Sequence, residues 1–410
     1  MAIAPMLWLL FAPPGVALDG TPWLQWGGPH RNFQTEAQLA DSWPAAGPKI
    51  VWRRPLGEGY SSILVESGVL YTMYRTGDTE TVISADAATG KTIWTHSYHA
   101  PFNSDAGEEG DGPHATPAIA GGRIFTAGAS GILNCLDKKT GKVLWSHDLW
   151  NLWYRGTHLI YGYASSPLVY RDTILLPVGG DGHAMMCFRQ SDGEVVWKKG
   201  DAGNAYSSAV LINVGGIEQA VVMTRFHVVS FNPLNGDVQW SREHHADYGL
   251  NIMTPIWGPD NVLVISASYN AGTTAFELSR AGNQTNVKEL WRSNSFYVKH
   301  VNMLRIGDAL YAASGDSGPT PLAAADVKTG KVLWRKRGYP EANLVYAGGK
   351  IVILDQDGNL SLGKFSAQGM EVLATAPSLL KNNSWTPPTV VGTRLYIRDR
   401  HEMMALDLGH

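Results

Sequence analysis

The chain has only two cysteines, Cys135 and Cys187, too few for a disulfide scaffold. It has no excess of either charge: 33 Lys and Arg stand against 36 Asp and Glu, a formal net charge of -3. A nucleic-acid binder would show a basic surplus. Charged residues make up only 17% of the chain and hydrophobic ones 44%, which excludes a disordered polypeptide. No apolar run approaches the roughly 20 residues of a membrane-spanning helix. Three enzyme signatures are also missing: a phosphate-cradling Gly-Lys-Thr loop, a Gly-x-Ser-x-Gly elbow and a His-Glu-x-x-His helix. What the chain has in abundance is glycine, 45 residues, and tryptophan, 15. That pairing predicts many tight turns and large anchored aromatics.

A short apolar stretch, Ile3 to Val16, leads into the small-x-small triplet Gly15-Val16-Ala17. It reads as a secretory signal over residues 1–17, which predicts a secreted or periplasmic protein. No cysteine precedes Cys135, so a lipid-bearing cysteine after this signal is not available. Residues 18–49 are expected to form an N-terminal extension and residues 50–410 a single domain.

The single-domain expectation rests on an internal repeat. Three copies are clear: Asp86-Ala-Ala-Thr89-Gly90-Lys91-Thr-Ile-Trp94, Asp137-Lys-Lys-Thr140-Gly141-Lys142-Val-Leu-Trp145 and Asp326-Val-Lys-Thr329-Gly330-Lys331-Val-Leu-Trp334. Weaker copies end at Trp197, Trp240 and Trp291, and one without the tryptophan ends near Val372-Leu373. Each copy is a hairpin in physical terms. Glycine supplies the positive-φ turn residue, and β-branched residues alternate before the tryptophan as a strand requires. A second hairpin precedes each, as in Thr116-Pro-Ala-Ile-Ala-Gly-Gly-Arg-Ile-Phe-Thr126, giving four strands per unit. From Trp52 to Trp334 the tryptophans recur every 42–52 residues, close to the 40–45 of a propeller blade. The ends are out of phase. Ile50-Val51-Trp52 is a terminal strand without its hairpin, and Tyr396 to Asp407 supplies inner strands without a terminal one. Joining them predicts an all-β, eight-bladed β-propeller of four-stranded antiparallel blades, closed by strands from both termini, which leaves no open sheet edge in the ring. Cys135 and Cys187 then fall in adjacent blades, about 10 Å apart, and are expected to stay unbonded.

The Asp-x-x-Thr-Gly-Lys-x-x-Trp units resemble the tryptophan-docked repeats of the pyrroloquinoline-quinone (PQQ) propeller superfamily, over about residues 22–408. That superfamily includes PQQ-dependent alcohol dehydrogenases, the propeller lipoprotein of outer-membrane assembly, and secreted PQQ-like propellers. Trp23-Leu-Gln-Trp26-Gly-Gly-Pro29, Leu56-Gly-Glu-Gly-Tyr60-Ser-Ser62 and Leu395-Tyr-Ile-Arg-Asp-Arg400 look most like the third group. The dehydrogenases carry adjacent cysteines, a calcium site beneath the quinone and a catalytic Asp. This sequence has no Cys-Cys, and their ligands have no residue-by-residue match here. The resemblance therefore implies first a binding or scaffold module that uses the channel mouth or an outer face, with a protein partner or a small polar or anionic ligand. The alternative is a quinoprotein-type oxidoreductase holding PQQ, with calcium, at the channel mouth. No catalytic or metal-ligating residue is assigned.

In a propeller the inner strands all start on one face, and the second-to-third-strand turns open there too. Inner-strand starts are Tyr60, His114, Tyr163, Tyr206, Asn251, His300 and Trp385; the turns carry Arg75, Arg225, Arg398 and Arg400. A binding site is expected at this mouth, lined by Arg75, His114, Tyr206, Arg225, His300 and Arg398. Guanidinium groups suit an anion. The competing reading is that these arginines only neutralise Asp78, Asp355, Asp357 and Asp399. His114 and His300 are expected to face each other, four blades apart. Two insertions lie on the same face. One carries Asp105, Glu108, Glu109 and Asp111, a calcium loop or a solvated acidic one. The other carries Trp150, Trp153, Tyr154, His158, Tyr161 and Tyr163, a cap over the channel or packing over a blade junction. His244-His245 is expected to be a surface pair.

Overall fold

The computed structural model describes residues 20–104, 110–151, 156, 159–316 and 319–409. The expected signal, Asp105, Glu108, Glu109, Trp153, Tyr154 and His158 lie outside the described residues.

Eight antiparallel blades form a ring. Blades 1 to 7 span residues 64–99, 118–148, 168–199, 210–243, 256–293, 304–336 and 343–376. Blade 8 combines Thr389–Val391, Arg394–Arg398 and Glu402–Asp407 with an outer strand, Lys49–Pro55, from the other end of the chain. That strand pairs antiparallel with Glu402–Asp407, placing Trp52 opposite Ala405. The ring is thus closed by hydrogen bonds between the two ends of the chain, as the repeat phase requires. Both cysteines are buried free thiols.

The repeat residues hold neighbouring blades together. Asp86 Oδ1 accepts from the backbone N–H of Ala88 and Thr89 and from the Thr89 hydroxyl, which fixes the turn. Asp137 and Asp326 repeat this arrangement. Each tryptophan then reaches into the next blade. Trp94 Nε1 donates to Lys138 O at 3.1 Å, Trp145 to Gln190 O at 3.0 Å and Trp291 to Val327 O at 2.8 Å. Blade 4 departs from the rule. Blade 5 has a long hairpin, Gly272–Ala281 with Gln284–Ser293, in place of the Gly-Lys turn. Trp240 accordingly donates within its own blade, to Gln219 Oε1 at 2.6 Å.

A second girdle runs around the channel. A small polar residue stands two positions before the inner strand of blades 1 to 6, and in blades 2, 3 and 4 it accepts an N–H of the blade before. Ser62 N donates to Thr116 Oγ1 at 3.1 Å, Thr116 N to Ser166 Oγ at 2.9 Å and Ser166 N to Ser208 Oγ at 2.9 Å. Between blades 6 and 7 Asn302 N donates to Oδ1 of Asn343, the first residue of its strand, at 3.3 Å. These bonds satisfy inner-strand amides that have no ladder partner inside their own blade.

The N-terminal segment is built into the ring. Trp23 bridges to Val65 of blade 1, Leu24 O accepts Ile119 N of blade 2, and the Arg31 guanidinium donates to Ser166 O and Pro167 O of blade 3. Gln34–Thr35 adds a parallel fifth strand to blade 7, opposite Tyr346 and Ala347. Val65, Ile119, Tyr346 and Ala347 all lie where inner strands run into their first turns, the end remote from Tyr60 and His114. The segment therefore covers that far mouth. Burial pulls the Arg31 pKa down to about 9, so it stays charged at neutral pH.

Candidate functional site

With one mouth covered, the channel becomes a blind cavity of about 160 Å³. Its floor is Trp26, whose Nε1 donates to Thr254 Oγ1 at 2.9 Å and whose ring meets Phe33 edge-on. The walls form two layers set by the two-residue period of the inner strands. Tyr60, His114, Ala164, Tyr206, Ile252, His300 and Trp385 stand four residues before their strands. Ser166, Ser208, Thr254 and Pro387 stand two residues before and lie deeper.

The upper layer is a continuous aromatic arc. His114 stacks on Tyr60 at 5.4 Å, Tyr60 lies 5.3 Å from Trp385, and Trp385 meets His300 edge-on at 4.8 Å. His300 Nε2 is 3.2 Å from Glu341 Oε2, close enough for attraction but off the axis of a good hydrogen bond. His114 Nε2 is buried without a partner. Burial lowers the His114 pKa to about 4 and that of His300 to about 3, with Arg400 reinforcing the first and Lys299 and His114 the second. Both imidazoles are neutral at pH 7. Burial also raises the Tyr206 pKa to about 12, keeping its hydroxyl protonated.

Of the six site residues expected from the sequence, the cavity brings three together: His114, Tyr206 and His300. The three arginines do not converge there. Arg75 is buried against Glu80, 3.1 Å away, and Glu80 also accepts from the Tyr98 hydroxyl and Ala129 N. Arg398 is fully buried and donates to the carbonyls of Ser61, Met73, Gly57 and Asp399 and to Thr72 Oγ1. Arg225 is exposed, with its guanidinium 5.1 Å above the Phe226 ring. For Arg75 and Arg398 the physical reason is reach: their turns sit on the second and third strands, outside the inner wall, and a long cationic side chain finds acceptors there first. The pairing partners are nonetheless not the aspartates expected, since Asp355 and Asp399 cap their own turns.

Two inner-strand starts are off by one residue. Tyr163 is buried and donates to Pro177 O, and Asn251 donates to Thr224 O and His244 O; Tyr161, Leu250 and Ile252 face the cavity instead. A one-residue slip reverses the face a side chain takes. His244 is fully buried with its pKa lowered to about 4, while His245 is exposed and stacks on Phe226. Trp26 and Lys299 escaped the sequence reading, because nothing in the repeat marks residues outside it. Ser166, Ser208 and Thr254 escaped it too, although each is a small polar residue directly before Pro or Ala.

The calcium-and-quinone arrangement implied by the dehydrogenases does not fit this cavity. Among the described residues its lining contains no carboxylate, and no group of three His, Cys, Asp or Glu side chains could hold a metal ion.

The chain is similar to outer membrane protein assembly factor BamB of Yersinia pestis, 24% identical over 67% of this chain and 69% of that one. The protein of the same name from Shewanella oneidensis is 22% identical over 86% of this chain and 76% of that one. In structure it is similar to quinohemoprotein alcohol dehydrogenase from Comamonas testosteroni, with a TM-score of 0.65 at 13% identity, covering 95% of this chain and 81% of that one. At that identity the likeness is one of fold. A family model matches residues 78–336, more than half of the chain, so the protein belongs to the PQQ-repeat propeller family described as outer membrane protein assembly factor BamB.

Proposed function

We propose that the protein is a secreted or periplasmic binding module of the cell envelope that engages a protein partner through its open-mouth face. The observation that carries this is the asymmetry of the ring. One mouth is covered by the chain's own residues 23–35, whereas the other presents an aromatic-walled cavity with exposed apolar groups on its rim. Ile160 is 67% exposed and Tyr248 83% exposed, and Tyr248 stands edge-on to the cavity residue Tyr269. Exposed apolar groups beside a concave site mark contact surfaces. The names of the relatives supply the setting, the assembly of outer membrane proteins. The oxidoreductase alternative has weaker support, because the described residues of the lining include no carboxylate of the kind its calcium would need.

Site-specific photocrosslinking tests this. A crosslinker at Ile160 or Tyr248 is expected to trap a discrete partner in envelope fractions, identifiable as an outer-membrane assembly component. The same crosslinker at Gly349, beside the covered mouth, is expected to trap none. Equal labelling from both faces would overturn the reading.

A further inference from the structure

The outer strand of each blade is a sheet edge, and on all but one of them a charge guards it. On six tryptophan-bearing outer strands an exposed charged side chain stands one or three residues after the tryptophan: Arg53, Asp148, Lys198, Glu243, Arg292 and Arg335. The outer strand of blade 7 has no tryptophan but carries Glu371, and its Thr375 O accepts from Trp43 Nε1 at 3.0 Å. Charges placed in this way keep a foreign strand from pairing with an edge. Blade 1 is the exception. Its outer strand, Thr92–His99, has Thr95 and Ser97 at those places and contains no Lys, Arg, Asp or Glu.

This edge is also open. Thr92–His99 is the last strand of its blade and pairs with Thr79–Asp86 alone. Just beyond that ladder Ala100 N donates to Asp78 O. Antiparallel pairing alternates from there, so the backbone N–H and C=O of Thr95, Ser97 and His99 point away from the blade. The side chains of these residues are exposed together with Ile93, which is 52% exposed. Trp94, His96 and Tyr98 stand half-buried on the other face. The strand is thus built from β-branched, hydroxyl and aromatic residues, with nothing to repel a neighbour.

We propose that the free edge of Thr92–His99 takes up an extended, uncharged segment of a partner polypeptide as a fifth strand of blade 1. Main-chain hydrogen bonds to the outward groups supply the affinity, and alternate side chains supply the selectivity. The chemistry of the segment follows from the edge. A charged residue opposite Thr95 or Ser97 meets no counter-charge within the strand, whereas a β-branched or aromatic one packs across the pair and against Ile93. A second copy of this chain fits less well. Two convex rings would meet along a single strand, too narrow a contact for the roughly 1,200 Å² of a stable interface. A flexible segment can follow the strand along its whole length. The His99 end of the strand adjoins Asp78, whose turn lies on the open-mouth face, so a bound segment leads onto that face. The inference goes beyond the open-mouth reading and stands without it.

Fluorescence anisotropy of the full chain with a labelled peptide is the test. The probe matches the strand in length, alternates Thr with Val and Tyr, and has both ends blocked. N-methylation of every second residue closes one of its edges, so that it cannot pair with itself. It is expected to bind one-to-one. The same peptide methylated at every residue has no edge left and should bind at least tenfold more weakly. Thr95→Lys combined with Ser97→Lys installs the guard of the other blades and should also weaken the probe at least tenfold, with an unaltered melting temperature showing that the variant is folded. If that variant does not fold, the two methylated peptides still decide on the unaltered protein. Bound probe should slow hydrogen exchange in Thr92–His99 and not in Val332–Lys336, the outer strand of blade 6. An analogue with Lys or Glu in place of each Thr should bind more weakly. No binding of the probe, equal binding of the fully methylated peptide, protection spread over both strands, or tighter binding of a charged analogue would each overturn the proposal. So would a concentration-dependent dimer that sediments without peptide and is lost in the double variant, since the edge would then belong to a second copy.

Discussion

Gly141 of blade 2 lies flat against the indole of Trp94 in blade 1: a Cβ placed on Gly141 would stand 2.4 Å from Trp94 Cε3. Gly90, Gly193, Gly236 and Gly330 meet Trp52, Trp145, Trp197 and Trp291 in the same way, at 2.3–2.8 Å. The glycine of the repeat therefore serves two ends. It takes the left-handed turn conformation, φ +69° at Gly141, and it lets one blade close on the next. Gly141→Ala is expected to suffer both the conformational cost, about 1–2 kcal/mol, and overpacking of about 1–3 kcal/mol. Gly349→Ala is the control, since its φ is +90° but no atom lies within 4 Å. Urea unfolding should show Gly141→Ala clearly less stable than Gly349→Ala. Equal losses would mean that the tryptophan contact carries no weight.

Blade 4 offers a different weak point. Gln219 Oε1 accepts from Trp240 Nε1 and Ser230 Oγ, and its amide donates to Thr285 Oγ1 of blade 5 at 2.7 Å. This one side chain stands in for the missing turn at the junction of blades 4 and 5. Gln219→Leu keeps the volume and strands the buried indole N–H. A loss of about 1–3 kcal/mol in urea unfolding is expected. Trp240→Phe should remove much of the further effect of Gln219→Leu, and additivity of the two would argue against the hub.

The propeller was legible because its repeat is a statement about packing. Asp fixes a turn, glycine admits an indole, and tryptophan fills the space, so each copy can be read without its neighbours. The closure of blade 8 was legible for the same reason, from the phase at Trp52 and Tyr396. The site was half legible. His114, Tyr206 and His300 occupy the position four residues before an inner strand, which a count of blades locates. Arg75 and Arg398 misled because charge alone does not reveal whether a carboxylate or a set of carbonyls waits within reach. Trp26 was invisible to the repeat, since it enters the ring from residues that belong to no blade.

Arg75 and Glu80 can be tested as a pair. Both are buried, at 3% and 0% exposure, so removing one leaves an uncompensated charge. Arg75→Met is expected to cost about 3–5 kcal/mol. Arg75→Met combined with Glu80→Gln should recover part of that loss, because no buried carboxylate is left unpaired. A double-mutant cycle from chemical denaturation measures the coupling. A near-zero coupling energy, with folding intact, would return Arg75 to the pool of free cations at the mouth.

The neutral histidines of the cavity make stability depend on pH. His114 titrates at about 4 and His300 at about 3 in the folded protein, both below the ordinary 6.5. Between those values the unfolded chain binds protons that the folded chain refuses, so stability is full above pH 6.5 and falls as the pH drops toward 4. Each histidine contributes a slope of about 1.4 kcal/mol per pH unit within that window. Nearby charges modify it. Lys299 and Arg400 disfavour the imidazolium, and Asp111 favours it at His114. Glu341 is raised by burial, so it binds its proton more readily when folded and opposes the trend at the acidic end. His244, also lowered to about 4, adds a background that the comparison must cancel. Unfolding free energies of the wild type and of the His114→Gln, His300→Gln double variant should therefore be measured from pH 7.5 to 5. The double variant is expected to lose less stability on acidification than the wild type, by about 4 kcal/mol across that range, about 2 kcal/mol for each histidine. Parallel pH profiles would show that both imidazoles titrate freely in solvent, and the closed aromatic cavity described above would then be wrong at its rim.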